Sequence, residues 1–219
     1  MTVLKLGSKG PDVVKLQHLI HVCPDGIFGQ ITLEAVKAFQ NEEGLFPDGI
    51  VGPKTWAALE PRNGIVLKRS RRRIDLILVH CTATPEGKDY TVDQIRQWHT
   101  APKPKGQGWS DIGYHYVIYR DGSVHLGRDV DIAGAHCEGY NTHSIGIVYV
   151  GGLENIPGVP TDKLPDKDTR TEAQKLALLD LLVKLRRLYP DAEISGHRNY
   201  DKKGKTCPSF DAKNEYRDI

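Results

Sequence analysis

Ile74-Asp75-Leu76-Ile77-Leu78-Val79 is a mostly apolar run that stops at His80-Cys81-Thr82-Ala83-Thr84. An apolar run this short, with almost no polar alternation, reads as a strand buried on both faces. The segments that follow are of two kinds. Thr91-Val92-Asp93-Gln94 is a capping box that opens a helix carrying Ile95 and Trp98. Residues 114–120 are rich in β-branched and aromatic side chains and predict a strand. Asp121-Gly122 is a hairpin turn signal before a short strand at 123–126. Residues 144–150 form another apolar strand, closed by Gly151-Gly152. Thr171-Glu172-Ala173-Gln174 caps a long helix that runs through Leu188 and is stopped by Pro190. Glu193-Ile194-Ser195 is a last short strand. Strands and helices mix without strict alternation, so the expected class is α+β, with a mixed central β-sheet flanked by helices over residues 74–219.

Upstream the pattern changes. Pro24-Asp25-Gly26-Ile27-Phe28-Gly29-Gln30-Ile31-Thr32 recurs 23 residues later as Pro47-Asp48-Gly49-Ile50-Val51-Gly52-Pro53-Lys54-Thr55, with six of nine positions identical. Each copy is an Asp-Gly turn leading into a helix. Apolar residues at helical spacing predict three short helices near 11–21, 31–43 and 53–59. Residues 1–60 therefore read as a small three-helix domain. Residues 61–73 carry six basic residues and no acid, and read as a solvated basic linker.

The bulk numbers narrow the function classes. Of 219 residues, 39% are hydrophobic and 26% charged, which suits one ordinary domain plus a small one. No apolar run approaches the ~18 residues of a membrane span. The first residues lack the apolar core of a secretion signal. The formal net charge is +2, and all the positive excess sits in the linker. No nucleic-acid motif accompanies that basic cluster. Four cysteines do not make a disulfide scaffold. Cys23 reads as a small core residue. His18, His21 and Cys23 lie close together near the first helix but read as ordinary surface or half-buried groups. Gly204-Lys205-Thr206 mimics the end of a phosphate loop, yet position 199 is Asn where that loop needs Gly.

His80 ends one strand, His197 follows another, and Cys207 lies ten residues further on, before Pro208. Two imidazoles and a thiolate suit zinc, and three protein ligands leave a fourth position open, as catalytic sites do. Residue types alone leave a second reading open, in which these histidines bond backbone or solvent.

The order of local motifs adds to this. Val79-His80-Cys81-Thr82-Ala83-Thr84, Gly113-Tyr114-His115-Tyr116, Ser144-Ile145-Gly146-Ile147 and Lys205-Thr206-Cys207-Pro208-Ser209-Phe210 occur in that sequence. From about residue 74 to about 215 the chain resembles the phage-lysozyme type of N-acetylmuramoyl-L-alanine amidase, whose fold is shared with peptidoglycan-recognition proteins. Residues 3–60, through Leu6-Gly7-Ser8-Lys9-Gly10, the two turns and Ala38-Phe39-Gln40, resemble the three-helix peptidoglycan-binding domain of wall hydrolases. The resemblance implies Zn2+ held by His80, His197 and Cys207, with Tyr114 and Lys205 catalytic. A related branch uses a Glu in the Ser-Ile-Gly-Ile strand as an acid/base; here that position is Val148. Strand alternation predicts Tyr114 and Tyr116 on one face and His115 on the other, which makes His115 a core residue. His136 and Asn141 are expected substrate contacts.

The chemistry fits these types. An amide is a poor electrophile; zinc polarises its carbonyl and acidifies water. A protonated Lys205 and Tyr114 can donate to the developing oxyanion. The expected reaction is hydrolysis of the bond between N-acetylmuramic acid and L-alanine, as in phage or prophage endolysins. The competing readings are a recognition protein that binds without cutting and an endopeptidase acting within the stem peptide. Binding-only members of the fold commonly lack the zinc Cys, and Cys207 is present here. The expected partner is peptidoglycan, with no nucleic acid and no membrane insertion, and the expected state is a monomer. Synthesis in a bacterial host cytoplasm is expected, with action on the cell wall after release.

Overall fold

The computed structural model describes residues 2–20, 22–59, 65–202 and 204–219. The chain divides into two compact units, residues 1–63 and 64–218.

The first unit is helical: α1 (Pro11–Leu19), α2 (Gln30–Glu42) and α3 (Pro53–Leu59). Val13, Leu16, Phe28, Val36, Val51 and Trp56 form its core. The internal repeat has a structural cause. Gln17 lies buried at the centre of one copy, where its side-chain amide donates to Asp25 Oδ1 (2.7 Å), the Ile27 carbonyl (3.0 Å) and Thr32 Oγ1 (3.1 Å). Its carbonyl oxygen accepts from the Gly26 N–H at 2.9 Å. Gln40 repeats every one of these bonds with Asp48, Ile50, Thr55 and Gly49. Gly26 and Gly49 sit at φ 72° and 73°, the left-handed region the Asp-Gly turns require. Cys23 is exposed, not part of the core. The turn before Pro24 leaves it outside the packed helices. His21 lies outside the described residues.

The second unit holds β1 (Leu76–Cys81), β2 (Thr84–Pro85), α4 (Val92–Thr100), β3 (Tyr116–Ile118), β4 (Val124–Leu126), β5 (Ser144–Tyr149), β6 (Gly152–Leu153), α5 (Glu172–Leu188), β7 (Glu193–Gly196) and α6 (Ala212–Glu215). The main sheet has the order β4-β3-β5-β1-β7. β1 lies between β5 and β7 and is parallel to both; β3 is parallel to β5, and β4 antiparallel to β3. All six residues of β1 are buried, as expected of a parallel strand covered on both faces. β2 and β6 form a separate two-stranded sheet. Both expected capping boxes are present, at Thr91 and Thr171. α4 packs Val92 and Ile95 against Val117 and Val148. Gln174, in the first turn of α5, donates to the carbonyls of Ile118 and Val150 at the ends of β3 and β5.

The basic stretch departs from the expected tether. Residues 61–64 lie outside the described residues, but from Lys68 to Arg73 the chain is fastened to the second unit. The Ser70 N–H donates to Tyr189 Oη (2.6 Å) and its hydroxyl to the Val130 carbonyl (2.6 Å). Arg72 donates to the carbonyls of Val130, Asn141, Thr142 and Ser144. Lys68 and Arg71 both pair with Asp131. Lys68, Arg71 and Arg72 are spent on carboxylates and carbonyls of residues 129–144, while Arg73 pairs with Asp75.

Candidate metal centre and active site

β1 and β7 are neighbours, so His80 at the end of β1 and His197 just past β7 come out side by side at one end of the sheet. The loop after His197 returns to place Cys207 against β1, where its sulfur accepts from the Cys81 N–H at 3.3 Å. The ligand atoms of His80, His197 and Cys207 all lie within 4.8 Å of one another, and among the described residues no other such group of His, Cys, Asp or Glu occurs. His80 Nδ1 is 3.8 Å from Cys207 Sγ. Two ligands on a tetrahedral zinc, with bonds of ~2.0–2.3 Å, stand roughly 3.5 Å apart. The donor set and its spacing therefore fit the ion.

The electrostatics fit as well. Burial, then His136, His197 and Lys205, hold His80 well below the usual imidazole range, because a charge on its ring would be desolvated and would oppose theirs. Burial and Lys205 lower His197, against the opposing pull of Asp201. Both imidazoles are thus neutral, the form that ligates. The neighbouring Cys81 thiol and burial push Cys207 up, so its thiol keeps a proton until a metal displaces it.

Tyr114 sits beside this group, its ring 5.2 Å from that of His80. Burial is the main cause that pushes its phenol far above the ordinary value, so the hydroxyl stays protonated and can donate. The alternation argument for its face fails. β3 begins only at Tyr116, and Tyr114 packs with the cluster of Val117 and Val148, whereas Tyr116 is buried near Tyr189. His115 is fully buried, with Nδ1 accepting from the Gly146 N–H at 2.9 Å and Nε2 3.1 Å from the Ile132 carbonyl. Val148 is fully buried in the α4 cluster, so that strand offers no acid to the site.

A cavity of about 720 Å³ adjoins the triad, lined among others by Trp109, Asn141, His197, Tyr200, Lys202 and Lys205. Its size suits a small ligand or a short segment of a polymer. Asn141 lines it, and its Oδ1 accepts from the N–H groups of His136 and Cys137, both at 2.9 Å. His136 also lines it, yet it is only 8% exposed and both ring nitrogens have protein partners. Sequence reasoning missed Trp109, whose ring is tilted against that of His99 at 4.9 Å, and Asp201. Asp201 Oδ1 is 3.8 Å from His197 Nε2 while Oδ2 accepts the Lys205 N–H at 3.1 Å. Its spacing of four from both His197 and Lys205 was the available signal.

Comparison with known proteins gives concordant matches. The N-acetylmuramoyl-L-alanine amidase family matches residues 70–210, and a putative peptidoglycan binding domain matches residues 9–59. The endolysin of Klebsiella phage KP32 is 44% identical over 143 residues, covering 65% of this chain and 85% of that one. The endolysin of Escherichia phage T7 is 42% identical over 145 residues, 66% of this chain and 87% of its own. Among solved structures, the N-acetylmuramoyl-L-alanine amidase LysC from Clostridium intestinale URNW shares the fold, with a TM-score of 0.52 at 23% identity over 71% of this chain and 89% of that one.

Proposed function

We propose what this protein does from one premise: the chain belongs to the N-acetylmuramoyl-L-alanine amidase family. It is a peptidoglycan amidase; the proposal is that it works with zinc, cuts between the lactyl group of N-acetylmuramic acid and L-alanine, and serves as a phage or prophage endolysin that reaches the wall after release. The observation that carries the metal reading is the convergence of His80, His197 and Cys207, with His197 lining the adjoining cavity. These three would hold the ion. Bound there, zinc supplies a Lewis acid for the amide carbonyl and lowers the pKa of water to ~7.

The chain's own residues do the rest. Tyr114, kept protonated by burial, donates a hydrogen bond to charge developing on the amide oxygen. Lys205, exposed on the cavity wall, brings positive charge to the same place. Asp201 holds the Lys205 backbone and faces His197, so the cation and the ligand move as one. The NH₂ of Asn141 is a substrate contact. The first unit, matched by a peptidoglycan-binding family, holds the enzyme on its polymer.

The test joins metal content to product chemistry. Wild-type protein should carry one zinc per chain and expose new L-alanine amino termini in purified sacculi. Cys207→Ser should lose the metal, because a neutral hydroxyl replaces a soft thiolate. A different new terminus would make it an endopeptidase, no new terminus a recognition protein, and a fully active, zinc-loaded Cys207→Ser would remove Cys207 from the ligand set.

A further inference from the structure

Behind His80, away from Cys207, the protein partner of the ring is not a carboxylate. It is a second imidazole. His80 Nε2 is 3.1 Å from His136 Nδ1, and the two rings stand edge-on, 5.0 Å apart. His136 Nε2 is in turn 3.3 Å from Ser144 Oγ. All three side chains are buried. The fold makes room for this ring specifically. A Cβ on Gly134 or Gly146 would fall 2.4 or 2.5 Å from His136 Cδ2. The main chain at His136 is pinned by Asn141 Oδ1, and Arg72 holds the Asn141 carbonyl at 3.0 Å.

We propose that His136 is a positioning residue for the metal centre: through Ser144–His136–His80 it fixes the tautomer and the aim of the His80 ring. This rests on the zinc reading above. A neutral imidazole has one N–H and one lone pair. His80 Nδ1 is the nitrogen beside Cys207, so its lone pair must be free for the ion. The proton then sits on Nε2 and is donated to His136 Nδ1. His136 in turn carries its proton on Nε2 and donates it to Ser144 Oγ. Reversing the chain would put the His80 proton on Nδ1, aimed at the sulfur, and leave no lone pair for a metal. Metal-binding histidines are usually backed by a carboxylate, a carbonyl or water. A neutral imidazole in that place orients the ligand and brings no negative charge, so it leaves the ion a stronger Lewis acid than a carboxylate would.

The experiment uses the full chain and four proteins: wild type, His136→Asn, His136→Leu and Ser144→Ala. Zinc affinity is measured by chelator competition, the ligand field by the absorption spectrum of the cobalt-loaded protein, and the fold by thermal unfolding without metal. Asn places its Oδ1 where Nδ1 was and can still accept from His80; Leu fills the space and cannot. His136→Leu should bind zinc roughly 10–100-fold more weakly and shift the cobalt spectrum, while its metal-free unfolding stays near wild type. His136→Asn should stay within a few-fold of wild type, and Ser144→Ala should fall between the two. If His136→Leu does not fold, His136→Met repeats the comparison with a flexible chain of similar volume. Equal weakening in the Asn and Leu variants would mean the ring acts by packing and would overturn the proposal. So would wild-type affinity in the Leu or Met variant. A wild-type chain that takes up no zinc overturns this proposal and the metal reading together; a zinc-binding wild type matched by the Leu variant overturns this one alone.

Discussion

Tyr114 lies beside the His80 ring and Lys205 lines the cavity, and their proposed roles separate cleanly from metal binding. Neither belongs to the ligand triad. Tyr114→Phe and Lys205→Ala should therefore keep zinc and the fold yet lose on the order of 10²–10³ in turnover, the usual cost of an oxyanion donor. Wild-type turnover in both variants would leave the metal acting without them. A second residue-scale prediction concerns pH. Burial first, then Arg72 and Arg128, lowers His115 from 6.5 to about 4, against its bond to the Ile132 carbonyl. Above pH ~6.5 the folded and unfolded chains are both neutral at this residue and nothing is lost. As pH falls from ~6.5 to ~4 the unfolded chain takes up a proton that the folded one refuses. Stability then drops by ~1.4 kcal/mol per unit, on the order of 3 kcal/mol over the window. His115→Asn, which can still accept from the Gly146 N–H, should flatten the slope by one proton's worth. Urea unfolding of the metal-free protein across pH 7 to 4.5 measures this, and parallel slopes would rule it out. The grouping of His80, His197 and Cys207 was expected from the resemblance, whose motifs carry them in order, and the three side chains do come together. The setting of His136 was not legible in sequence. Its partners His80 and Ser144 lie 56 and 8 residues away, and only the fold shows that both ring nitrogens are already taken.

The segment from Lys68 to Arg73 behaves as an element of the catalytic unit rather than as a tether. Ser70 and Arg72 bind the loop that carries His136 and Asn141. A truncated chain beginning at Ile65 keeps this strap; one beginning at Ile74 loses it. Hydrogen bonds from a charged group contribute ~1.5–3 kcal/mol each when their partners are left unmet, and water repairs part of that. The shorter chain should be at least ~2 kcal/mol less stable, a fall of roughly 4–8 °C in Tm for a unit of this size, with weaker zinc binding because the loop behind His80 loosens. Identical melting of the two chains would show that the strap holds nothing. Composition misled here for a physical reason. Six cations suggest solvation, but an arginine also satisfies itself on main-chain carbonyls, and sequence does not display where those point. The helices were legible because caps and apolar spacing are local signals: Pro53–Leu59 matches its expected bounds, and both capping boxes form. The paired strands β2 and β6 were not, since two residues each carry no periodicity. The repeat was half legible. The turns gave it away, but Gln17 and Gln40, which explain it, lie upstream of the matching stretch and are recognised only by their bonds.

At the scale of the whole chain, the proposed roles divide the labour of acting on an insoluble polymer between the two units. Every residue assigned to chemistry lies in the second unit, and the first contributes no member to the metal triad. Residues 1–60 carry five lysines and seven acids, so attraction to an anionic wall cannot be what binds them. Ile31 and Phe46 are exposed, which gives that unit apolar surface to offer instead. A binding unit of this kind raises the effective substrate concentration near the active site, and the gain exists only where the substrate presents many sites on one surface. A small soluble muropeptide offers nothing to anchor to. A chain beginning at Ile65 should therefore keep zinc and cleave soluble muropeptide at close to the full-length rate. On sacculi it should bind less and act more slowly, most visibly at low enzyme concentration. Added salt should leave most of that difference in place, because screening weakens exposed charge pairs and spares apolar contacts. Both chains must be assayed on both substrates. If removing residues 1–64 lowered activity equally on the soluble and the insoluble substrate, the first unit would be supporting the catalytic fold, and the reading of it as a wall anchor would have to be abandoned.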